Sequence, residues 1–438
     1  MSEDRHLADL FAFLDVATSP RQAVDEAARR LTESGFEEMD EAGAWEDTSG
    51  RRLIRRGGTL VAWAASGSSR PEPHSAFRLV GAHTDSPGLR IRPIPDTGSA
   101  GYRQIAVEVY GGTLRNSWLD RDLGISGSVV IGRGSERRSV PLRIDRPLMR
   151  VPQLAIHLDR EVNKGLTLDP QRHLTPVWAL GDVDEGALAE FLASELGVPR
   201  ADVRAWNLVA HDVAPAARLG RDREFYASGR IDNLVSCHAA LTALTAPPVP
   251  TGASTPARSD DTTAVVVLFD HEEIGSTSYS GAAGALLPSV LQRLVASRGG
   301  SSADLHRAVA ASWCLSVDGA HATHPNYVDR HEPGHHISLN GGPVVKINAN
   351  QRYATDAVGQ ALFADVCEQA GVPLQIYSHR NDIPCGSTIG PLTAANLGMA
   401  TIDVGAPQLS MHSAREMGGA ADPAMLTAAI GAFLNHES

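Results

Sequence analysis

The sequence predicts an α/β fold in which helices cover both sides of a mixed sheet that is interrupted by a β-rich insertion. Two observations carry that prediction. Apolar strand-like runs alternate with amphipathic helical runs in both outer parts of the chain, and between about Ile94 and Arg223 short strands with turn residues take over. The scale fits: 438 residues exceed one small domain, and 42% hydrophobic residues suffice for a substantial core.

In order, "LADLFAFLDVA" has helical periodicity, and "TSPRQAVDEAARRLTESGF" reads as a second helix. Its N-cap is Ser19, with Pro20 at the first helical position and Gly35 just past the end. "GTLVAWAAS" and "AFRLVGAH" are strands, the latter ending on His83. "QIAVEVYGG", "GSVVIG" and "RSVPLRID" are short strands of the insertion, joined by a helix in "DEGALAEFLASELGV". "GRIDNLVSCHAALTAL" starts a helix, "APPVPTGASTPARSDD" is a surface loop, and "TTAVVVLF" is a buried strand. Helix and strand follow in "SADLHRAVAASWCLSVD" and again in "DAVGQALFADVCEQAGVP" with "LQIYSH". "MATIDVGAP" is a strand, and "DPAMLTAAIGAFLNH" is the closing helix. The expected division is a discontinuous domain of residues 1–93 and 224–438, with an insertion at 94–223.

A net charge of −12 and a pI near 5.8 argue against a nucleic-acid partner, which requires a basic face. Cys237, Cys314, Cys367 and Cys385 form no C-x-x-C pair and are too sparse for a disulfide framework. The N-terminal stretch lacks the features of a secretory signal, and no apolar run approaches the ~20 residues of a membrane helix. The expectation is a cytoplasmic protein. Lys164 and Lys346 are the only lysines, so each raises the question of what arginine could not do there.

Polar residues gather just after apolar strands. They are His83 and Asp85 in "GAHTDSPG", Asp232 in "GRIDN", Glu272 and Glu273 in "FDHEEIG", Asp318 in "LSVDGAH", and His412 in "QLSMHS". Strand ends are where α/β sheets build sites. Nitrogen and oxygen donors without cysteine suit zinc, manganese or cobalt. Two divalent ions would bring +4 against the three charges of Asp232, Glu273 and Asp318, and one hydroxide completes neutrality. Glu272 is then left beside the metals as a general base, and Asp85 can orient the His83 ring. Taken singly, "DHEE" fits a solvated turn and Asp232 fits a helix cap. Five such coincidences at strand ends favour the metal reading.

The motifs "HTDSPGLRIRP", "GRIDNLVSCHAAL", "DHEEIGSTSYSGA", "DGAHATHPNY", "GGPVVKINANQRYATD", "NDIPCGSTIGP" and "QLSMHSAREM" run in order from about residue 80 to 420. Together they resemble the aspartyl aminopeptidases, the M18 metallopeptidases. The resemblance implies an α/β/α zinc exopeptidase domain that removes N-terminal Asp and Glu from peptides. It also implies a β-rich dimerisation insertion and a homo-oligomer, usually a tetrahedral dodecamer. By position, His83 and Asp318 would hold one Zn2+, Glu273 and His412 the other, and Asp232 would bridge them, with Glu272 as base. The bond after Asp232 would be cis. His157, in "LAIHLDR", would reach a neighbouring subunit's site. Lys346 and Tyr353 would receive the acidic side chain. Arg380 is a third candidate, with a salt bridge to Asp382 as its alternative, and Cys385 and Gly386 would line the pocket. A neutral-residue aminopeptidase of the same chemistry and a catalytically silent scaffold are the rival readings.

Overall fold

The run Thr263–Phe269 is fully buried, which puts it inside a sheet covered on both faces. The computed structural model describes residues 3–65, 71–246 and 262–436, and its largest sheet has nine strands. Thr263–Phe269 pairs in parallel with Phe77–His83, which pairs in parallel with Trp313–Val317, itself parallel to Ala400–Gly405. Thr59–Ala65 adds antiparallel on one side and Val344–Ile347 on the other, so the sheet is mixed. The two-residue period of a strand sorts its side chains. Ala264, Val266 and Leu268 enter one core, with the helices Glu3–Val16, Pro20–Glu33, Ile231–Thr245, Ala357–Ala370 and Asp422–Leu434. Val265, Val267 and Phe269 enter the other, with Leu286–Ser297 and Ser302–Ala310.

The insertion has its own core around Leu89, Ile125 and Leu192. Its six-stranded sheet is antiparallel throughout and carries the helix Ala187–Leu196. The expected limits of 94 and 223 need adjustment. Position 94 falls inside the strand Gly88–Ser99, and Ala217–Leu219 pairs with Phe225–Ser228 in a separate five-stranded sheet. We propose 88 and 212 as the limits of the insertion.

That five-stranded sheet also contains Ala320–His321, Pro407–Leu409 and Glu416–Gly419. Its strands are too short to show a period in the sequence. The helices Leu286–Ser297 and Ile389–Leu397 also escaped the sequence reading, since Pro288 and Pro391 lie in their first turns and read as breakers. Apart from Ala246, the loop expected at "APPVPTGASTPARSDD" lies outside the described residues.

The parallel strands place His83, Asp270 to Glu273 and Asp318 at one sheet edge, since Phe269 is level with His83 and Ser316 with Gly81. Gly405 permits this approach: a methyl there would lie 1.7 Å from the Asp318 carbonyl oxygen. Gly405→Ala should therefore lower stability by about 3 kcal/mol, measured by denaturant unfolding. A loss well below ~1 kcal/mol would show that the strand ends yield freely.

Candidate metal centre

His83 ends its strand, and its Nδ1–H donates to the Asp85 backbone oxygen at 2.9 Å. That bond turns Nε2 towards carboxylates, 3.4 Å from Asp232 Oδ1, 3.4 Å from Asp318 Oδ1 and 4.0 Å from Glu272 Oε2. His412 is arranged likewise. Its Nδ1 donates to the Gly112 oxygen at 3.1 Å, and its Nε2 lies 3.4 Å from Asp232 Oδ2 and 3.5 Å from Glu273 Oε2. The two imidazoles thus face different oxygens of one buried carboxylate.

Two further buried carboxylates hold these groups by the backbone. Asp85 accepts from the N–H of Glu272 at 3.0 Å, from that of Glu273 at 3.1 Å and from the Tyr110 hydroxyl at 2.7 Å. Glu416 accepts from the N–H of Asp232 at 3.0 Å and from that of His412 at 2.7 Å. Local backbone is unusual here. Arg230 (φ 60°), His271 (φ 66°) and His412 (φ 69°) are left-handed, and the Asp232–Asn233 bond is cis. Left-handed non-glycine residues tend to cluster where a fold holds a functional constellation. The N-cap of the helix is Arg230, whose side chain makes no capping bond, and Oδ1 of Asp232 has no hydrogen-bond partner among the described residues.

The electrostatics are those of excess buried negative charge. Burial above all, then Asp318 and Asp232, push the Glu272 carboxyl up to about 8 against the pull of His83. Burial and Asp232 push Glu273 well up. Burial opposes protonation of His83 and His412, yet their carboxylate partners win and raise both, His412 to about 9. Asp232 Oδ1 and Glu273 Oε1 are buried without a hydrogen-bond partner among the described residues. Orphaned carboxylate oxygens beside imidazole nitrogens fit divalent zinc, and the oxygen and nitrogen donor set agrees. Three overlapping groups can hold an ion: His83 with Asp232 and Asp318, Asp232 with Glu273 and His412, and His83 with Glu272 and Glu273.

A cavity of about 390 Å³ opens over these residues. Lys346, Tyr353 and Gly386 line it too. Lys346 is 1% exposed as a residue; its ammonium donates to the carbonyls of Asp318 and Gly319 at 3.2 Å each and lies 5.0 Å from the Tyr353 ring centre. Cys385 packs half-buried on the cluster that holds Tyr353. Arg380 does not join the site. It is half-buried, pairs with Asp382 at 2.6 Å, and donates to the Asp329 oxygen. His157 lies exposed in an irregular stretch of the insertion and is not among the residues lining the cavity. Sequence reasoning missed His321, which lines the cavity, and Tyr110 and Glu416, which brace the ligands from behind. His321 stands three residues after Asp318, a signal that could have been read.

Comparison with known proteins agrees with this chemistry. A family model described as aminopeptidase I zinc metalloprotease (M18) matches residues 13–434. The chain belongs to the M18 family. A probable M18 family aminopeptidase 2 of Streptomyces coelicolor is 52% identical over 433 residues, covering 98% of this chain and 97% of that one. Its counterpart in Mycobacterium leprae is 49% identical over 431 residues, covering 98% of each chain. Among solved structures, that of the Ape4 and Nbr1 complex superposes with a TM-score of 0.93 at 34% identity, covering 99% of this chain and 86% of that chain. The S. cerevisiae mApe1 dodecamer gives 0.84 at 28% identity, covering 99% and 97%. The M18 aminopeptidase of Thermotoga maritima, at 23% identity and a TM-score of 0.85, shares the fold, covering 99% of this chain and 96% of that one.

For an M18 zinc metalloprotease with these donors, zinc should raise the melting temperature and a chelator should lower it. At a thousand times its Kd, zinc would add about 4 kcal/mol. His83→Ala and Asp232→Asn should lose that gain. A melting temperature indifferent to chelator, or gains retained in both variants, would move the zinc elsewhere.

Proposed function

We propose that this M18 aminopeptidase uses two zinc ions per chain to remove N-terminal Asp and Glu from peptides. One observation carries the reading. Asp232 offers one oxygen to each imidazole, 3.4 Å from His83 and 3.4 Å from His412, at one end of a cavity that also holds the buried Lys346 ammonium. His83, Asp318 and Asp232 would hold one ion, and His412, Glu273 and Asp232 the other. Bound zinc supplies Lewis-acid polarisation of the scissile carbonyl and of water.

The protein's own groups supply the rest. Glu272 reaches the cavity with a side chain 13% exposed, and acts as general base. It takes a proton from the attacking water as the new C–O bond forms. It then returns that proton to the leaving amine as the C–N bond breaks. Asp85 fixes the turn that carries it. Lys346 has three N–H donors and spends two on carbonyls, so one remains for substrate. The buried Asp403 carboxylate feels its charge but makes no direct ion pair with it among the described residues, and a buried ammonium gains from a direct partner. An N-terminal Asp or Glu side chain would supply that partner, which favours acidic over neutral substrates.

We further propose a homo-oligomer of twelve copies, the number in the S. cerevisiae mApe1 dodecamer, built here from dimers with the insertion as the dimerisation module. Exposed Leu154, Ile156 and Leu158 flank His157, and an apolar run of this kind calls for a covering surface. Burying it against a second copy would deliver His157 to the neighbouring cavity. No helix of the described residues is long and apolar enough to cross a membrane. We assign the protein to the cytoplasm, where four unpaired thiols are compatible with the reducing environment.

The test is release of N-terminal Asp, Glu, Leu and Ala from matched peptides by zinc-loaded protein, with a chelated control. Asp and Glu should be released fastest, and chelation should abolish all release. Equal rates for neutral residues would leave the metal chemistry and remove the acidic preference; no release from any peptide would favour a silent scaffold. Lys346→Met should cost acidic substrates roughly 10- to 150-fold relative to Leu, the value of one charge-assisted hydrogen bond. Glu272→Gln should keep fold and zinc while turnover falls by ~10²–10⁴-fold. Near-normal turnover in that variant would take Glu272 out of the mechanism.

A further inference from the structure

The strand Tyr102–Tyr110 of the insertion runs out into the turn Tyr110-Gly111-Gly112-Thr113-Leu114. Two glycines bring this turn against the metal centre. Gly111 has φ +67°, and a Cβ there would lie 3.1 Å from the Cβ of Glu273. A Cβ on Gly112 would lie 3.0 Å from Nδ1 of His412. The Thr113 hydroxyl closes the turn by donating to the Tyr110 oxygen at 2.8 Å.

Three bonds then run from this turn to both halves of the centre. The Tyr110 hydroxyl donates to Asp85 Oδ2 at 2.7 Å, the Gly112 oxygen accepts from His412 Nδ1 at 3.1 Å, and the Leu114 N–H donates to the His412 oxygen at 3.1 Å. Tyr110 has little freedom. Its residue is 7% exposed, the Arg90 guanidinium lies 4.5 Å from its ring centre, and its backbone pairs with Gly88. The sheet behind it is pinned to the main domain by Gln22, whose amide donates to the oxygens of Gly127 and Leu142 at 2.9 Å each.

We propose that this turn is a positioning device for the zinc centre, with Tyr110 acting through Asp85 on His83, Glu272 and Glu273, and the Gly112 carbonyl acting directly on His412. The proposal rests on the reading of His83, Glu273 and His412 as ligands and of Glu272 as base. Asp85 grips two backbone N–H groups with one carboxylate, and its Oδ2 is shared between Glu273 and Tyr110. The phenol O–H holds that carboxylate in one plane. Without it the carboxylate can rotate, which loosens the glutamate turn and moves the Oδ1 that lies 3.5 Å from His83 Nδ1, while the His83 bond to the Asp85 backbone oxygen stays. The Gly112 oxygen fixes the His412 tautomer, leaving Nε2 free to ligate. The insertion thus contributes to the geometry of the reaction from within the same chain. A shift of its sheet would reach both zinc positions at once.

The test uses the full chain and four readouts: zinc affinity by chelator competition, zinc stoichiometry, kcat and KM separately, and the melting temperature of the zinc-free protein. Tyr110→Phe should lower zinc affinity or kcat by about 10- to 100-fold, with KM and the zinc-free melting temperature nearly unchanged. Gly112→Ala, which pushes on His412, should weaken one zinc and spare the other. Tyr102→Phe, on the exposed start of the same strand, should match the parent in every readout. The proposal is overturned if Tyr110→Phe and Gly112→Ala both match a zinc-binding parent in affinity and kcat. It is overturned equally if their losses only follow a collapse of the zinc-free melting temperature. A parent that keeps both ions after His412→Ala would instead sink the ligand assignment, and the turn's role in it.

Discussion

The structure depends on how it tolerates buried carboxylates packed together. Asp85, Asp232, Glu273 and Asp318 stand around two imidazoles at the end of a parallel sheet, with Glu272 at the rim and Glu416 behind. In water this crowding costs little, and inside a protein it costs much more. Two devices meet that cost. Backbone N–H groups are aimed at some of the carboxylates, and in the proposed zinc site the metal would lie among those left without donors. Asp85 and Glu416 are the first kind, each gripping two N–H groups. Asp232 and Glu273, with orphaned oxygens, are the second. The division of labour between anchor and ligand follows from where the amides point.

Three layers of structure converge to make that aim possible. The parallel strands bring His83, Glu272 and Asp318 to one edge. The small sheet brings His412, within the short connection between Pro407–Leu409 and Glu416–Gly419, and Glu416, which starts the second of those strands. The insertion brings the turn at 110–114. None of the three suffices alone. His412 has its backbone oxygen held by the insertion, its backbone N–H by Glu416, and its ring aimed at Asp232. Rigid support of this kind is what separates a metal centre from a loose cluster of acids.

Much of this was legible in the sequence because strand ends leave a simple trace. An apolar run that stops at a histidine or an acid marks both the strand and the site, and His83, Glu272 with Glu273, and Asp318 all carry that mark. Asp232 and His412 follow weaker signals, and they were grouped with the rest by chemistry. The anchors left no trace. Tyr110 ends an ordinary strand of the insertion, and Glu416 stands in a four-residue strand. Their roles arise only when distant segments meet, which no local period records. Arg380 is the converse. A cation in a polar, glycine-bearing stretch suggested a substrate contact, but Asp382, two residues on, takes its guanidinium. Local pairing is cheap in entropy and usually wins over a distant role.

The identity of Lys346 follows from the same geometry. In a chain with 39 basic residues and only two lysines, one lysine is buried beside the metal ligands. An arginine there would present a planar fork of five donors, and its bidentate geometry suits two parallel acceptors in one plane. The acceptors here are successive carbonyls, Asp318 and Gly319, both 3.2 Å from one nitrogen. A single tetrahedral ammonium can bond to both and keep a third proton for the cavity, while lying 5.0 Å from the Tyr353 ring centre. Those two carbonyls belong to the turn that carries Asp318, a proposed ligand. On the proposed reading, the cation that would face substrate also steadies the turn that carries Asp318, so a change at this position would reach specificity and metal geometry together.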